Sequence, residues 1–341
     1  MMQINMISDT VTRPTKVMLE AMFSAQVGDD VFQSDPTVNA LEAKAAKLCG
    51  KEAALFCPSG TMTNQLAIKM HTQPLDEIIC DHYSHVYRYE TGGYAFNSQV
   101  AVNLIHGTYG KITADQIEAV IQPPADWLPT SKLVVLESST NKGGGNYYLP
   151  SEIKPIADLC AAHNLKLHLD GARFFNALVE EEYDILDYLQ YFDSVSLCLS
   201  KGLGAPVGSV LVGKSEEIKL ARKFRKVMGG GMRQAGYLAA AGIYALDHNV
   251  ERLTIDNQRA KEVGLLLAAQ DYVEEVMPVK TNIIIFELAN ELEASTFLEQ
   301  LETFGILASP FGKYSVRFIF HLDITDEMFD QILLVIDQLQ F

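Results

Sequence analysis

Short apolar runs recur along the chain, each bounded by Gly, Pro or charged residues and separated by stretches with helical spacing. Ala53–Cys57, Glu77–Cys80, Val100–Ile105, Leu133–Glu137, Lys166–Leu169 and Ser194–Leu199 are runs of this kind. Their brevity and their flanks predict buried strands. Between them the spacing predicts helices over Thr15–Ala25, Val38–Leu48, Met62–Met70, Thr113–Ile121 and Ser151–His163. Pro14 suits the first helical position, Asp35 a cap of the second helix and Gly50 its stop. Strand–helix alternation predicts an α/β fold whose mostly parallel sheet is covered by helices. From about Val250 the pattern changes to a long helix (Glu251–Ala268), two apolar strands (Asn282–Phe286 and Ser315–Phe320) and two further helices. This reads as a smaller α+β unit. The expected organisation is an arm over residues 1–13, a large domain over 14–248 and a small domain over 249–341. No Pro/Gly-rich linker lies near the second boundary, so the small domain should pack firmly on the large one.

Two of the apolar runs end in reactive groups. Asp170-Gly-Ala-Arg173 closes one, and Ser200-Lys201, followed by Gly202-Leu-Gly-Ala-Pro206, closes another. In open α/β sheets ligands bind at the carboxyl ends of the strands. A lysine and a carboxylate delivered there suit pyridoxal 5′-phosphate (PLP), with Lys201 forming the Schiff base and Asp170 keeping the pyridine nitrogen protonated. PLP also needs a phosphate cup. Ser59-Gly60-Thr61 stands between a strand and a helix, where unpaired N–H groups bind an anion. His85, at a strand end, can stack on the ring, with His82 competing from three residues away and a core role as the alternative. Arg173 can reach the ring oxygen or be held in a salt bridge. Arg317, inside an apolar strand, presents a fork suited to a substrate carboxylate or to a buried ion pair.

Composition narrows the field. The 341 residues include 27 basic and 43 acidic ones, a formal charge of −16 with no long Lys/Arg block, which disfavours nucleic acid and anionic membranes as partners. No apolar run approaches the roughly 20 residues that span a bilayer. The start, Met1 to Asp9, lacks the basic and apolar regions of a secretory signal. Five scattered cysteines (Cys49, Cys57, Cys80, Cys160 and Cys198) in apolar surroundings read as reduced core thiols, with no metal site. The expected compartment is the cytoplasm.

Several motifs in order carry a family resemblance: Ser8-Asp-Thr-Val-Thr12, Val27-Gly-Asp-Asp30, Pro58-Ser-Gly-Thr61, Leu169-Asp-Gly-Ala-Arg173, Cys198 to Ser209, and Gly229-Gly-Gly-Met-Arg-Gln-Ala235. Over nearly its whole length the chain resembles the L-threonine aldolases of the aromatic-amino-acid β-eliminating lyase group, with the aspartate-aminotransferase-like fold type I. That resemblance implies an aldehyde-lyase that cleaves L-threonine or L-allo-threonine to glycine and an aldehyde. It implies PLP on Lys201, Asp170 at the pyridine nitrogen, Arg173 at the ring oxygen, His85 on the ring, and Ser59, Gly60 and Thr61 at the phosphate. Ser8 and Arg317 would hold the substrate carboxylate. Lys226 and Arg233 would approach the phosphate of a neighbouring subunit, which implies a homo-oligomer, a dimer at minimum and a tetramer as the expected assembly. Members of the family commonly show Glu-Asn-x-His-Asn where this chain has Glu137-Ser-Ser-Thr-Asn141, and often a histidine near Trp127. Trp127 is therefore expected either at the substrate's β-substituent or packed on a subunit interface. With the bulky Phe320 it admits a β-eliminating lyase, or an aldolase for bulky aromatic substrates, as the nearest alternative. A non-catalytic PLP-binding protein is a more distant one.

Overall fold

The computed structural model describes residues 3–181 and 183–341. The short strand β1 (Ile4–Asn5) precedes the elements of the central sheet. Seven strands build the central sheet: β2 (Ala53–Cys57), β3 (Asp76–Asp81), β4 (Ala101–Ile105), β5 (Thr130–Glu137), β6 (Lys166–Gly171), β7 (Ser194–Cys198) and β8 (Ser209–Gly213). Their order is β2-β8-β7-β6-β5-β3-β4. Only β8 runs against its neighbours; β7, β6, β5, β3 and β4 are parallel. The inner parallel strands β3, β6 and β7 are buried nearly end to end, which is why such strands read as continuous apolar runs. Helices over Pro36–Leu48, Gly60–His71, Pro150–Ala162, Ser215–Val227 and Gly236–His248 cover the sheet. The main core takes in Leu41, Phe56, Leu136, Leu169, Phe174 and Leu197, all buried. Burying each such side chain stabilises the fold by roughly 1.5–3 kcal/mol.

Helix Leu253–Ala268 leads into β9 (Val273–Val276), β10 (Ile283–Leu288), β11 (Ile306–Leu307), β12 (Ser309–Pro310) and β13 (Ser315–Ile319). Four of these form an antiparallel sheet, β12-β13-β10-β9, backed by helices Ala294–Thr303 and Asp326–Gln338. Strand β1 pairs in parallel with β11, and Ile4 and Met6 are fully buried in the small-domain core. The amino-terminal residues are thus stitched to the elements around the antiparallel sheet. Asn176 and Asn257 exchange hydrogen bonds of 3.1 and 2.8 Å between helices Phe174–Leu178 and Leu253–Ala268. The first long helix begins at Lys16, one residue after the sequence pattern places it. Thr15 is its cap, accepting from the Met18 amide, and Pro14 lies outside. All five cysteines are buried and free.

Candidate active site

Strand β6 ends beside β5 with Asp170 opposite Glu137, and β7 runs beside β6 and delivers Lys201 three residues past its end. Asp170 is buried; its Oδ2 accepts from Asn64 Nδ2 at 2.8 Å and its Oδ1 from the Ala172 amide at 3.2 Å. Lys201 Nζ makes no hydrogen bond or ion pair among the described residues.

The helix Gly60–His71 points its amino end into the same region. Ser59 caps it, its Oγ accepting from the Met62 amide at 3.1 Å, while the Thr63 amide bonds the Ser59 carbonyl. A helix start leaves four N–H groups without helical partners. Of these the cap satisfies that of Met62, the Thr63 bond being the first regular helical one, and those of Gly60 and Thr61 have no partner among the described residues. No atom lies within 4 Å of the place where a Gly60 side chain would begin. Free amides, helix dipole and the Thr61 hydroxyl make this end an anion site.

His85 opens the turn after β3. Its amide donates to Glu137 Oε2 at 2.7 Å, and its Nδ1 lies 2.9 Å from Glu90 Oε1. The Glu90 side chain is fully buried and also accepts from Asn64 Nδ2 at 2.9 Å and Gln65 Nε2 at 2.6 Å. A carboxylate at Nδ1 favours a proton there and leaves Nε2 as the free lone pair. Burial opposes charge on His85, but the Glu90 hydrogen bond and the charges of Asp170 and Glu137 outweigh it and raise its pKa. Burial and the nearby Asp170 push the Glu137 carboxyl up.

Arg173 forms a two-pronged ion pair with Asp9, at 2.7 and 2.8 Å, and both residues are buried. Burial favours protonation of Asp9, yet Arg173, Lys201 and Asn282 hold its carboxyl at about 2. The structure thus has the salt bridge that was one of the two expectations for Arg173. Arg317, on β13, bonds Asn141 Oδ1 at 2.9 Å and the Ile7 carbonyl at 3.1 Å, and lies 5.5 Å from the Phe311 ring centre. It makes no ion pair among the described residues, and its Nε is buried without a partner. Burial and the neighbouring Arg173 lower its pKa to about 10. Contact with Ile7 puts Arg317 beside Ser8, whose Oγ accepts from the amide and hydroxyl of Thr10.

Three expected residues, Trp127, Arg233 and Lys226, make no hydrogen bond or ion pair with this cluster among the described residues. Trp127 is 84 % exposed and precedes Thr130, the first residue of β5, whereas the cluster sits past the strand's last residue, Glu137. At about 3.3 Å per strand residue it stands more than roughly 20 Å away. Arg233 pairs with Asp29 at 2.7 Å, and Lys226 ends the helix Ser215–Val227. Their neighbours Arg222 and Arg225 are tied to Glu42 and Asp30. Phe320 is fully buried in the small-domain core. Within one chain, neither residue that suggested a bulky substrate lines the site.

Other members of the cluster were not expected from the sequence: Asn64, Gln65, Glu90, Asp9, Asn141 and His168. His168 carried a signal, since it precedes Asp170 by two residues and so shares its face of the strand. The assembled donors fit PLP: an anion-binding helix end, a buried carboxylate, an unpaired lysine, and an arginine whose Nε lacks a partner.

The model of the beta-eliminating lyase family matches residues 5–291. The low specificity L-threonine aldolase of Escherichia coli strain K12 is 41% identical over 333 residues, covering 96% of this chain and 97% of that protein. The solved threonine aldolase of Leishmania major superposes with a TM-score of 0.85 at 20% identity, covering 98% of this chain and 99% of that one. A serine palmitoyltransferase (SPT) with PLP superposes at 0.75 and 15% identity, covering 98% and 86%. The fold is that of the PLP-dependent fold type I enzymes.

Proposed function

The chain belongs to the beta-eliminating lyase family, and we propose that it is a PLP-dependent aldehyde-lyase acting on β-hydroxy-α-amino acids such as L-threonine and L-allo-threonine, releasing glycine and an aldehyde. The observation that carries this reading is the placement of Lys201 and Asp170 at the ends of adjacent parallel strands, with the free amides of Gly60 and Thr61 close by. The family match and the 41% identical aldolase support it. Bound PLP supplies a ring that takes up the electrons released when the Cα–Cβ bond breaks.

Everything else falls to the chain. Lys201 Nζ is the amine that holds the cofactor, and its lack of a carboxylate partner keeps it available for that bond. Asp170 keeps the ring nitrogen protonated. Ser59, Gly60 and Thr61 hold the phosphate, and His85 lies on the ring. Arg317, with Ser8, fixes the substrate carboxylate, which orients the bond to be broken. His85 Nε2, freed by the Glu90 contact, takes the proton of the β-hydroxyl. Arg173, held by Asp9, borders the ring oxygen. Lys226 and Arg233 act on the phosphate of a neighbouring copy in a homo-oligomer, at least a dimer and expected as a tetramer. Five buried free thiols support a cytoplasmic location, and among the described residues no helix is long and apolar enough to cross a membrane.

Purified protein given threonine, allo-threonine, phenylserine or tryptophan tests the reading. Glycine with an equal amount of aldehyde is expected from the β-hydroxy substrates. Ammonia without glycine would replace it with β-elimination. Arg317→Ala should raise the KM for threonine roughly 10- to 100-fold, the loss of a charge-assisted contact, while PLP affinity stays nearly constant. Loss of PLP together with unfolding would instead make Arg317 a structural residue.

A further inference from the structure

We propose that Asn64, aligned by His168, is the positioning residue that holds the Asp170 and Glu90 carboxylates side by side. One junction then sets the partner of the cofactor's ring nitrogen and the partner of His85. The first half rests on the PLP reading above; the second does not.

Asn64 is buried, one turn into the helix whose start offers the phosphate amides. Its amide nitrogen donates to Asp170 Oδ2 at 2.8 Å and to Glu90 Oε1 at 2.9 Å. Its oxygen faces His168 Nε2 at 3.2 Å. The opposite orientation would press that oxygen against two carboxylates, so the amide has a single workable setting. That setting requires His168 to carry its proton on Nε2, with Nδ1 accepting from the Ser194 hydroxyl at 2.8 Å. Burial depresses the His168 pKa to about 3, so the ring stays neutral at ordinary pH.

The junction is crowded with charge. One ligand atom each of His85, Glu90 and Asp170 lies within 4.8 Å of the others. Glu137 and Arg173 add further charge from β5 and from the turn after β6. Carboxylates this close lower their repulsion by binding a proton unless donors lie between them. Asn64 places one N–H on each. Without it, no donor stands between the two carboxylates, which weakens Asp170 as a partner of the ring nitrogen and Glu90 as a partner of His85.

The test uses the full-length protein as Asn64→Leu, His168→Leu and His168→Gln. Glutamine can place an amide N–H where His168 presents Nε2. Three readouts apply: PLP dissociation constant, pH midpoint of bound-PLP absorbance, and the His85 titration followed by NMR without cofactor. Asn64→Leu should weaken PLP roughly tenfold or more. It should also move the absorbance midpoint by about one pH unit and lower the His85 midpoint. His168→Leu should shift all three in the same direction, and His168→Gln should restore them. Wild-type values in folded leucine variants would overturn the proposal, as would equal defects in His168→Leu and His168→Gln, which would mark packing alone. If Asn64→Leu fails to fold, the two His168 variants decide. If the wild type binds no PLP, the cofactor reading fails, and the His85 titration still tests the Asn64–Glu90 half.

Discussion

Lys201→Ala should lose turnover by several orders of magnitude while remaining folded and still taking up PLP. Nothing in the fold leans on this side chain: its Nζ has no hydrogen-bond or ion-pair partner among the described residues. It is one of the charges that help keep Asp9 ionised, but Asp9 retains the two-pronged contact with Arg173. Stability should therefore change little. The free amides at Gly60 and Thr61 and the Asp170 carboxylate remain, so the cofactor should bind more weakly and without a covalent link. Borohydride separates the two proteins. In the wild type it should fix PLP irreversibly to the peptide containing Lys201, readable by mass spectrometry; in the variant, dialysis should remove all of it. Turnover surviving in Lys201→Ala, or a wild type that stays colourless with added PLP, would sink the assignment of Lys201.

The residues legible in the sequence were those at the ends of apolar runs. Asp170 and Lys201 interrupt hydrophobic strands with charge, and the parallel-strand reading says which end of the sheet they occupy. The same logic applies to Trp127. It lies just before a strand, and the amino end of a parallel strand faces away from the site, which the β5–β6 register makes explicit. Strand β8 was hidden because Ser209–Gly213 continues a glycine-rich loop and its direction depends on partners remote in sequence. Asp9 and Arg173 stand 164 positions apart, and nothing local announces their pairing. Glu90, just before Thr91-Gly92-Gly93, gives no local signal of its role. It is buried because Asn64, Gln65 and His85 supply the donors that a carboxylate out of water requires. Polar clusters assembled from distant elements leave no periodic trace in the chain.

Acidification from pH 7 to pH 4 should destabilise the wild type by about 3 kcal/mol more than it destabilises His168→Gln. The reason lies beneath the active site, where His168 and His71 share Ser194: His168 Nδ1 lies 2.8 Å and His71 Nε2 2.9 Å from its hydroxyl. Burial depresses His168 to about 3 and His71 to about 4, from an ordinary 6.5. Below about 6.5 the unfolded chain therefore takes up protons that the folded one refuses, and stability falls as pH falls until the folded values are reached. Asp9, depressed to about 2 by Arg173 despite its burial, loses stability in the same direction but in a lower window, as pH drops below 3.8. The raised groups His85, Glu137, Glu42 and Asp256 work the other way, each favouring the folded state as it gains a proton. Total acid sensitivity thus mixes opposing contributions, and only the difference between the two proteins isolates His168. Glutamine does not titrate and keeps the donor facing Asn64. Urea unfolding curves at the two pH values give the difference directly. Parallel losses in wild type and His168→Gln would show that His168 carries its charge in the folded protein. The neutral ring that aligns Asn64 would then be ruled out.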